Sequence, residues 1–346
     1  MTDSQQRFLI VRLSSIGDIV HALPAAAALG EAFPRAEIHW VVESRHALLL
    51  DGNPYVHRVV KLDTLGWRRR WMRGGTLEEI GRGWRALRES RYDAALDFQG
   101  LWKSALVAWL SRARQRIGFA KPWLREPGAA LLYNQRVSPR QRQHVIEMNL
   151  ALVERLGART EHWQFPLPRN DADDAYVDTQ LAALHAKDFI IINPGGGWRS
   201  KCWSPENYAE LIGRLEGAIH EQILLTGSPD EESLISELSG RAGSTRARYL
   251  PTTLVQFIAL ARRARLFVGG DTGPLHLAAA VATPVVGIFG PTDPVRNGPF
   301  APDDIALSNL GPTTHTRRAS SPAYLPGISV ETVLAAITQR LARAHA

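Results

Sequence analysis

Only one cysteine, Cys202, stands in this chain of 346 residues. A single thiol excludes an internal disulfide framework and a cysteine-based zinc site, and it suits a reducing compartment. The chain also lacks a membrane-targeting signature. Its first residues, MTDSQQRFLIVRL, pass from a polar tail straight into a strand-like run, without the apolar stretch and small-residue cleavage site of a signal peptide. The uncharged stretch 275–291 contains His276, Thr283, Pro284, Gly287 and Gly290 and is short for a bilayer. A helix followed by a buried strand is expected there, in a soluble, cytoplasmic protein. The dinucleotide fingerprint GxGxxG is absent, and so is any helix-turn-helix or RNA-binding signature, so no nucleic-acid partner is expected. An apolar fraction of 45% with 22% charged residues excludes disorder, collagen and coiled coil.

The charge that is present is unevenly placed. Residues 1–168 hold 25 Lys and Arg against 16 Asp and Glu, a net of +9, whereas residues 169–346 hold 16 against 18, a net of −2. A basic half beside a near-neutral half points to an anionic partner for the first. Nucleic acid, anionic lipid and a phosphorylated glycan all carry that charge.

Short β-branched runs alternate with helical stretches, which predicts parallel α/β architecture. Strands are expected at 8–13, 37–43, 57–62 and 92–99, with helices at 19–33, 77–90 and 104–113. Two prolines and three carboxylates in FPLPRNDADDAY, followed by a short helical patch, mark a linker between Phe165 and Asp188. The alternation then resumes, with strands at 188–193, from 221, at 265–271 and at 284–290. Helices are expected at 206–217, 252–264 and 274–282, and an amphipathic one at 329–344. The domains are therefore 1–168, 169–328 and a C-terminal helix, 329–346, that packs back on the first domain. Two doubly wound halves facing each other place a cleft at the C-terminal ends of both sheets.

Three turns carry candidate chemistry. Ser14, Ser15, Ile16, Gly17 and Asp18 form the first strand-to-helix turn. Gly17 permits a tight turn, and Asp18 can accept a proton from a hydroxyl; an ordinary Ser or Asp helix cap fits the same residues. Asn193-Pro194-Gly195-Gly196-Gly197 follows the strand FIII, and successive glycine amides can cradle phosphate oxygens, with Lys201 to neutralise a diphosphate. A wide turn with an exposed lysine is the alternative. Asp271, Thr272 and Gly273 open a helix that carries His276 in its first turn, where a structural histidine is the competing reading.

These turns, with FLIVRLSSIGDIVHALPA, DFQGLWKSAL, REPGAALLYN, NPGGGWRSKCWSPENY, GDTGPLHLAAA and GIFGPTDPVRNGP, resemble family 9 glycosyltransferases, the lipopolysaccharide heptosyltransferases of type I above all. The resemblance covers almost the whole chain. It implies a GT-B fold of two Rossmann-like domains, and inverting transfer of heptose from ADP-heptose to a Kdo residue of the lipopolysaccharide inner core. No metal and no cofactor are implied. Asp18 is then the catalytic base. Gly195, Gly196, Gly197, Lys201, Glu231 (or its neighbour Glu232), Asp271, Thr272, Gly273 and His276 bind the donor. Arg68, Arg69, Arg70 and Arg73, among Trp67 and Trp71, and Arg125 meet the Kdo carboxylates and lipid phosphates, because an arginine fork binds oxyanions bidentately. One departure lies at 195–197, where some heptosyltransferases carry threonines. The resemblance also implies a Kdo-lipid A partner and peripheral contact with the cytoplasmic face of the inner membrane, to which Trp67, Trp71 and Trp84 suit the basic half. A family member with another acceptor, an epimerase of GT-B shape and a non-catalytic nucleotide-binding protein remain the alternatives.

Overall fold

The computed structural model describes residues 5–64, 66–67, 76–141, 143–196, 202–309, 325 and 327–343. The chain divides into two compact units, Met1–Pro168 and Arg169–Ala346. In the first, the elements are β1 (Arg7–Val11), α1 (Ile16–Val20), α2 (Leu23–Ala32), β2 (Glu37–Glu43), β3 (Arg58–Leu62), α3 (Thr76–Glu89), β4 (Ala94–Asp97), α4 (Trp102–Leu110), β5 (Gln115–Phe119), β6 (Gln135–Val137) and α5 (Val145–Glu154). All the strands pair in parallel, in the order β3-β2-β1-β4-β5-β6. Phe8, Leu9, Ile10 and Val11 are all buried, as expected of a parallel strand covered on both faces.

In the second unit come α6 (Asp171–Ala183), β7 (Phe189–Asn193), α7 (Pro205–Ala218), β8 (Gln222–Leu225), α8 (Glu232–Ala242), β9 (Ala247–Tyr249) and α9 (Leu254–Ala261). They are followed by β10 (Leu266–Gly270), α10 (Gly273–Ala280), β11 (Val285–Phe289), α11 (Pro294–Asn297), β12 (Ile305–Ser308) and α12 (Val330–Arg343). The sheet order, β12-β11-β10-β7-β8-β9, is again wholly parallel. In each sheet the order reverses once, between β1 and β4 and between β7 and β10. Ligand crevices of doubly wound sheets open at such reversal points, outside the carboxyl ends of the strands.

Two expectations need correction. The helix expected at 19–33 is two helices, because Pro24 stands at the start of α2, where its missing N–H costs nothing. The acidic stretch, expected as a linker ahead of a short helical patch, is itself the start of that helix, α6. Asn170 caps it by accepting from the Asp173 amide at 2.8 Å, and Asp171, Asp173 and Asp174 occupy its first turn, where carboxylates favour the helix. Arg263 ties α6 down through Asp174 at 2.8 Å and Asp178 at 2.7 Å. The C-terminal helix α12 packs within the second unit. Val333, Ile337 and Leu341, one face of the helix, join a core with Ile190, Ile192, Leu211, Val268 and Ile288.

Candidate active site

The β1–α1 turn leaves the C-terminal end of β1 beside the reversal point of the first sheet. Ser15 precedes α1 and Asp18 lies in its first turn. The Ser15 amide and hydroxyl both donate to Asp18 Oδ2, each at 2.9 Å. The other carboxylate oxygen, Oδ1, pairs with the Arg12 guanidinium. Arg12 is buried, and it also donates to the Phe98 carbonyl from the end of β4. Asp18 keeps 41% of its side-chain surface in water. The carboxylate is therefore fixed from below by a buried cation and from the side by a serine, while remaining open to a ligand. Gly17 is buried in the turn, and Ser14 is half-buried.

Asp97, at the end of β4, was not singled out by its sequence context, yet it organises the far side of the same crevice. It is fully buried. Its Oδ1 accepts from the Gln99 amide at 2.8 Å and the Gly100 amide at 3.1 Å, and its Oδ2 accepts from Ser104 at 2.8 Å and Tyr133 at 2.6 Å. Burial pushes its pKa up, opposed by the bonds from Tyr133, the two amides and Ser104. Gln99 in turn accepts from the Leu13 amide at 3.0 Å, which links this network to the strand end that leads to Asp18.

In the second unit, the turns after β7, β8 and β10 meet. Gly195 lies so close to the Glu231 carboxylate that an added Cβ would stand 1.9 Å from Oε1, and a Cβ on Gly196 would stand 3.3 Å from the Thr272 methyl. Glu231 is half-buried, and its Oε2 accepts from the Ser228 amide at 2.8 Å and the Ser228 hydroxyl at 2.9 Å. Glu232, the near-equal alternative, is exposed and begins α8. Asp271 and His276 are both buried, and His276 Nε2 sits 3.1 Å from Asp271 Oδ1. His276 thus braces the carboxylate that precedes α10. Thr272 caps α10 by position, and its hydroxyl donates to the Gly270 carbonyl at 3.3 Å. Gly195, Gly196, Glu231 and Thr272 thereby form one cluster beside the β7/β10 reversal point, with Asp271, Gly273 and His276 at its β10 side.

Other expected residues lie elsewhere. Gly197, Lys201, Arg68, Arg69, Arg70, Arg73 and Trp71 fall outside the described residues. Arg125 is exposed, on the loop after the short helix Lys121–Trp123. Trp67 and Trp84, expected as surface aromatics, are instead partly buried against the core of Leu62, Leu87 and Val107. Among the described residues, no group of three or more His, Cys, Asp and Glu could hold a metal ion.

Two doubly wound units, each with polar side chains gathered at its reversal point, are the architecture of the GT-B class. The model of glycosyltransferase family 9 (heptosyltransferase) matches residues 80–324, and the chain belongs to that family. It is 32% identical over 311 residues to lipopolysaccharide heptosyltransferase 1 of Escherichia coli O18:K1:H7, covering 88% of this chain and 92% of that protein. It is 31% identical to the Pseudomonas aeruginosa protein of the same name, over 88% of this chain and 84% of the relative. Among solved structures, E. coli heptosyltransferase WaaC with ADP superposes with a TM-score of 0.72 at 30% identity, over 88% of this chain and 94% of that one. The protein is a heptosyl-transferring enzyme.

Proposed function

We propose that the protein transfers heptose from ADP-heptose to a Kdo residue of the lipopolysaccharide inner core, with inversion at the anomeric carbon. The observation that carries this reading is Asp18 itself: a partly exposed carboxylate, fixed by Ser15 and Arg12 at the mouth of the first sheet's crevice. Support for the donor comes from relatives whose solved structures contain ADP and ADP-2-deoxy-2-fluoro heptose. Support for the pathway comes from relatives that are lipopolysaccharide heptosyltransferases.

In this mechanism Asp18 accepts the proton of the acceptor hydroxyl as its oxygen attacks the anomeric carbon of heptose. The bond from that carbon to the ADP oxygen breaks, and ADP leaves with the bonding pair. Negative charge growing on the diphosphate is met by the amides of Gly195, Gly196, Gly197 and Gly273 and by Lys201. Thr272, Asp271 and His276 fix the start of α10 against the phosphates, and Glu231 accepts from the ribose hydroxyls. This chemistry runs without a metal ion. The 1–168 unit takes the acceptor, with Arg68, Arg69, Arg70, Arg73 and Arg125 on its carboxylates and phosphates, and the 169–328 region takes the donor. The enzyme works at the cytoplasmic face of the inner membrane.

The test is to incubate the purified protein with ADP-heptose and a Kdo-lipid acceptor in EDTA and to weigh the product. Acceptor heavier by one heptosyl unit is expected, together with tighter binding of ADP than of UDP. Tight UDP binding with weak ADP binding would overturn the donor, and a strict magnesium requirement would overturn the metal-free step. Transfer to a different glycan with none to Kdo would overturn the acceptor.

A further inference from the structure

Helix α4 is apolar on two faces. One face carries Val107 and Ala108 into the core of the first unit. The other carries Trp102, Leu106 and Trp109 outward, with 48%, 42% and 49% of their surface exposed. At 3.6 residues per turn these three side chains fall within an arc of about 60° and form one stripe. The stripe continues onto the neighbouring 3-10 helix Pro127–Leu132. There the Trp102 indole lies on Gly128, whose added Cβ would stand 2.3 Å from the ring. Leu131, three residues on and so on the same face of a 3-10 helix, is 66% exposed. Four large apolar side chains left in water at one place are unusual for a soluble surface, where such patches mark interaction sites.

The surroundings identify the partner. Between residues 98 and 146 the chain has nine Lys and Arg and a single acid, Glu126. That acid is occupied, because it accepts from the Trp102 amide at 2.6 Å. Lys103, Arg112, Lys121 and Arg125 are exposed, and no ion pair engages them among the described residues. Tryptophan with leucine, ringed by unpaired cations, is the composition that settles at the boundary between head groups and acyl chains of an anionic bilayer. A protein groove would ask for a polar rim of both signs. No described helix is long and apolar enough to cross a membrane.

We propose that the exposed stripe of α4, with Leu131, is a membrane-docking face that inserts shallowly into an anionic lipid surface while the flanking Lys103, Arg112 and Lys121 meet its head groups. The inference deepens the lipid-acceptor reading above. It assigns the docking to residues outside the Arg68–Arg73 run, which is left to the acceptor head group.

Partition onto vesicles of phosphatidylethanolamine and phosphatidylglycerol, free of any acceptor lipid, tests it. Wild type is expected to bind these vesicles and not phosphatidylcholine ones, more weakly as salt rises. The triple variant Leu106→Ser, Trp109→Ser, Leu131→Ser should lose roughly tenfold or more in partition, because shallow binding scales with buried apolar area. Its turnover on detergent-solubilised acceptor should stay at the wild-type level. Lys103→Gln with Arg112→Gln leaves the apolar stripe whole and should flatten the salt dependence, so it serves even where the triple variant does not fold. Three results would overturn the proposal: wild type that ignores anionic vesicles at low salt, a folded triple variant that binds as wild type does, or a stripe that instead joins two copies of the chain in solution. Because no acceptor is present, a failed transfer assay refutes the acceptor reading alone, and failed partition refutes the docking face alone.

Discussion

The two halves of the protein use one local device for two ends. In each, a serine placed three residues before an acid donates both its amide and its hydroxyl to one carboxylate oxygen, Ser15 to Asp18 and Ser228 to Glu231, at distances between 2.8 and 2.9 Å. In each, the pair follows a strand that lies at or next to the sheet's reversal point. What differs is the other side of the carboxylate. Behind Asp18 is the buried Arg12 cation; beside Glu231 is the bare backbone of Gly195. Under the proposed function, the first environment holds an acid toward the acceptor hydroxyl, and the second sets one beside the donor's ribose. A motif of four residues thus fixes geometry, while its neighbours decide use.

The largest effect should come from breaking the first member. Asp18→Asn keeps the serine bonds and removes the proton acceptor, so turnover should fall about two to four orders of magnitude with ADP affinity unchanged by titration. Glu231→Gln should do the reverse, weakening ADP-heptose binding and leaving saturated turnover near wild type. Retention of more than a third of turnover by Asp18→Asn would refute the contrast.

Gly195→Ala drives a methyl into the Glu231 carboxylate, pushes it off Ser228 and should cost about 1 kcal/mol, read by urea denaturation. Glu231→Ala should relieve that cost in the double variant, and additive losses would mean that the clash is not what the glycine avoids.

The halves should also respond differently to acid. The first holds His39 and His46, each with its pKa lowered to about 4, chiefly by burial. A histidine whose folded pKa lies below the unfolded value contributes fully above pH 6.5 or so and loses that contribution as pH falls toward 4. For His46 the loss between pH 7.5 and 5 should be about 2 kcal/mol. His46→Gln should flatten the stability profile over that window by a similar amount, and an unchanged slope would contradict the shift.

The smallest effects belong to the serines. Ser15→Ala and Ser228→Ala each remove one hydroxyl bond, worth about 1 kcal/mol. The first should appear in kcat and the second in the KM for ADP-heptose. If both change the same parameter, the two devices are not separate.

Much of this was legible in the sequence, and what was missed has a common cause. The strands found at once, such as FLIV and FIII, run through the middle of each sheet, where burial on both faces demands unbroken apolar residues. The strands missed were β6, β9 and β12, all at sheet edges, and β5 next to one. They are short and mixed in polarity, as in QRV and ARY, because an edge is half solvated and asks for less. Glu231 stands ahead of Glu232 on the resemblance alone; its closeness to Gly195 is a tertiary contact that no local pattern carries. Arg12 escaped notice because an arginine closing a strand reads as a boundary; its role depends on a turn that brings back a residue six positions later. Asp97 gave no signal, since its four donors come from three separate segments.

The placement of α12 bears on how the molecule is made. Residues up to Pro168 contain the whole of the first unit, which can therefore close as soon as it clears the ribosome, well before synthesis ends. The second unit has no such freedom. Val333, Ile337 and Leu341 complete the same core as β7 and β10, strands made much earlier. Those strands must wait, with one face uncovered, until the last helix emerges. Of the two halves, the one assigned to the sugar nucleotide is thus the one exposed to a chaperone's attention, and a nonsense codon before residue 330 would release a chain with one finished half and one left ajar.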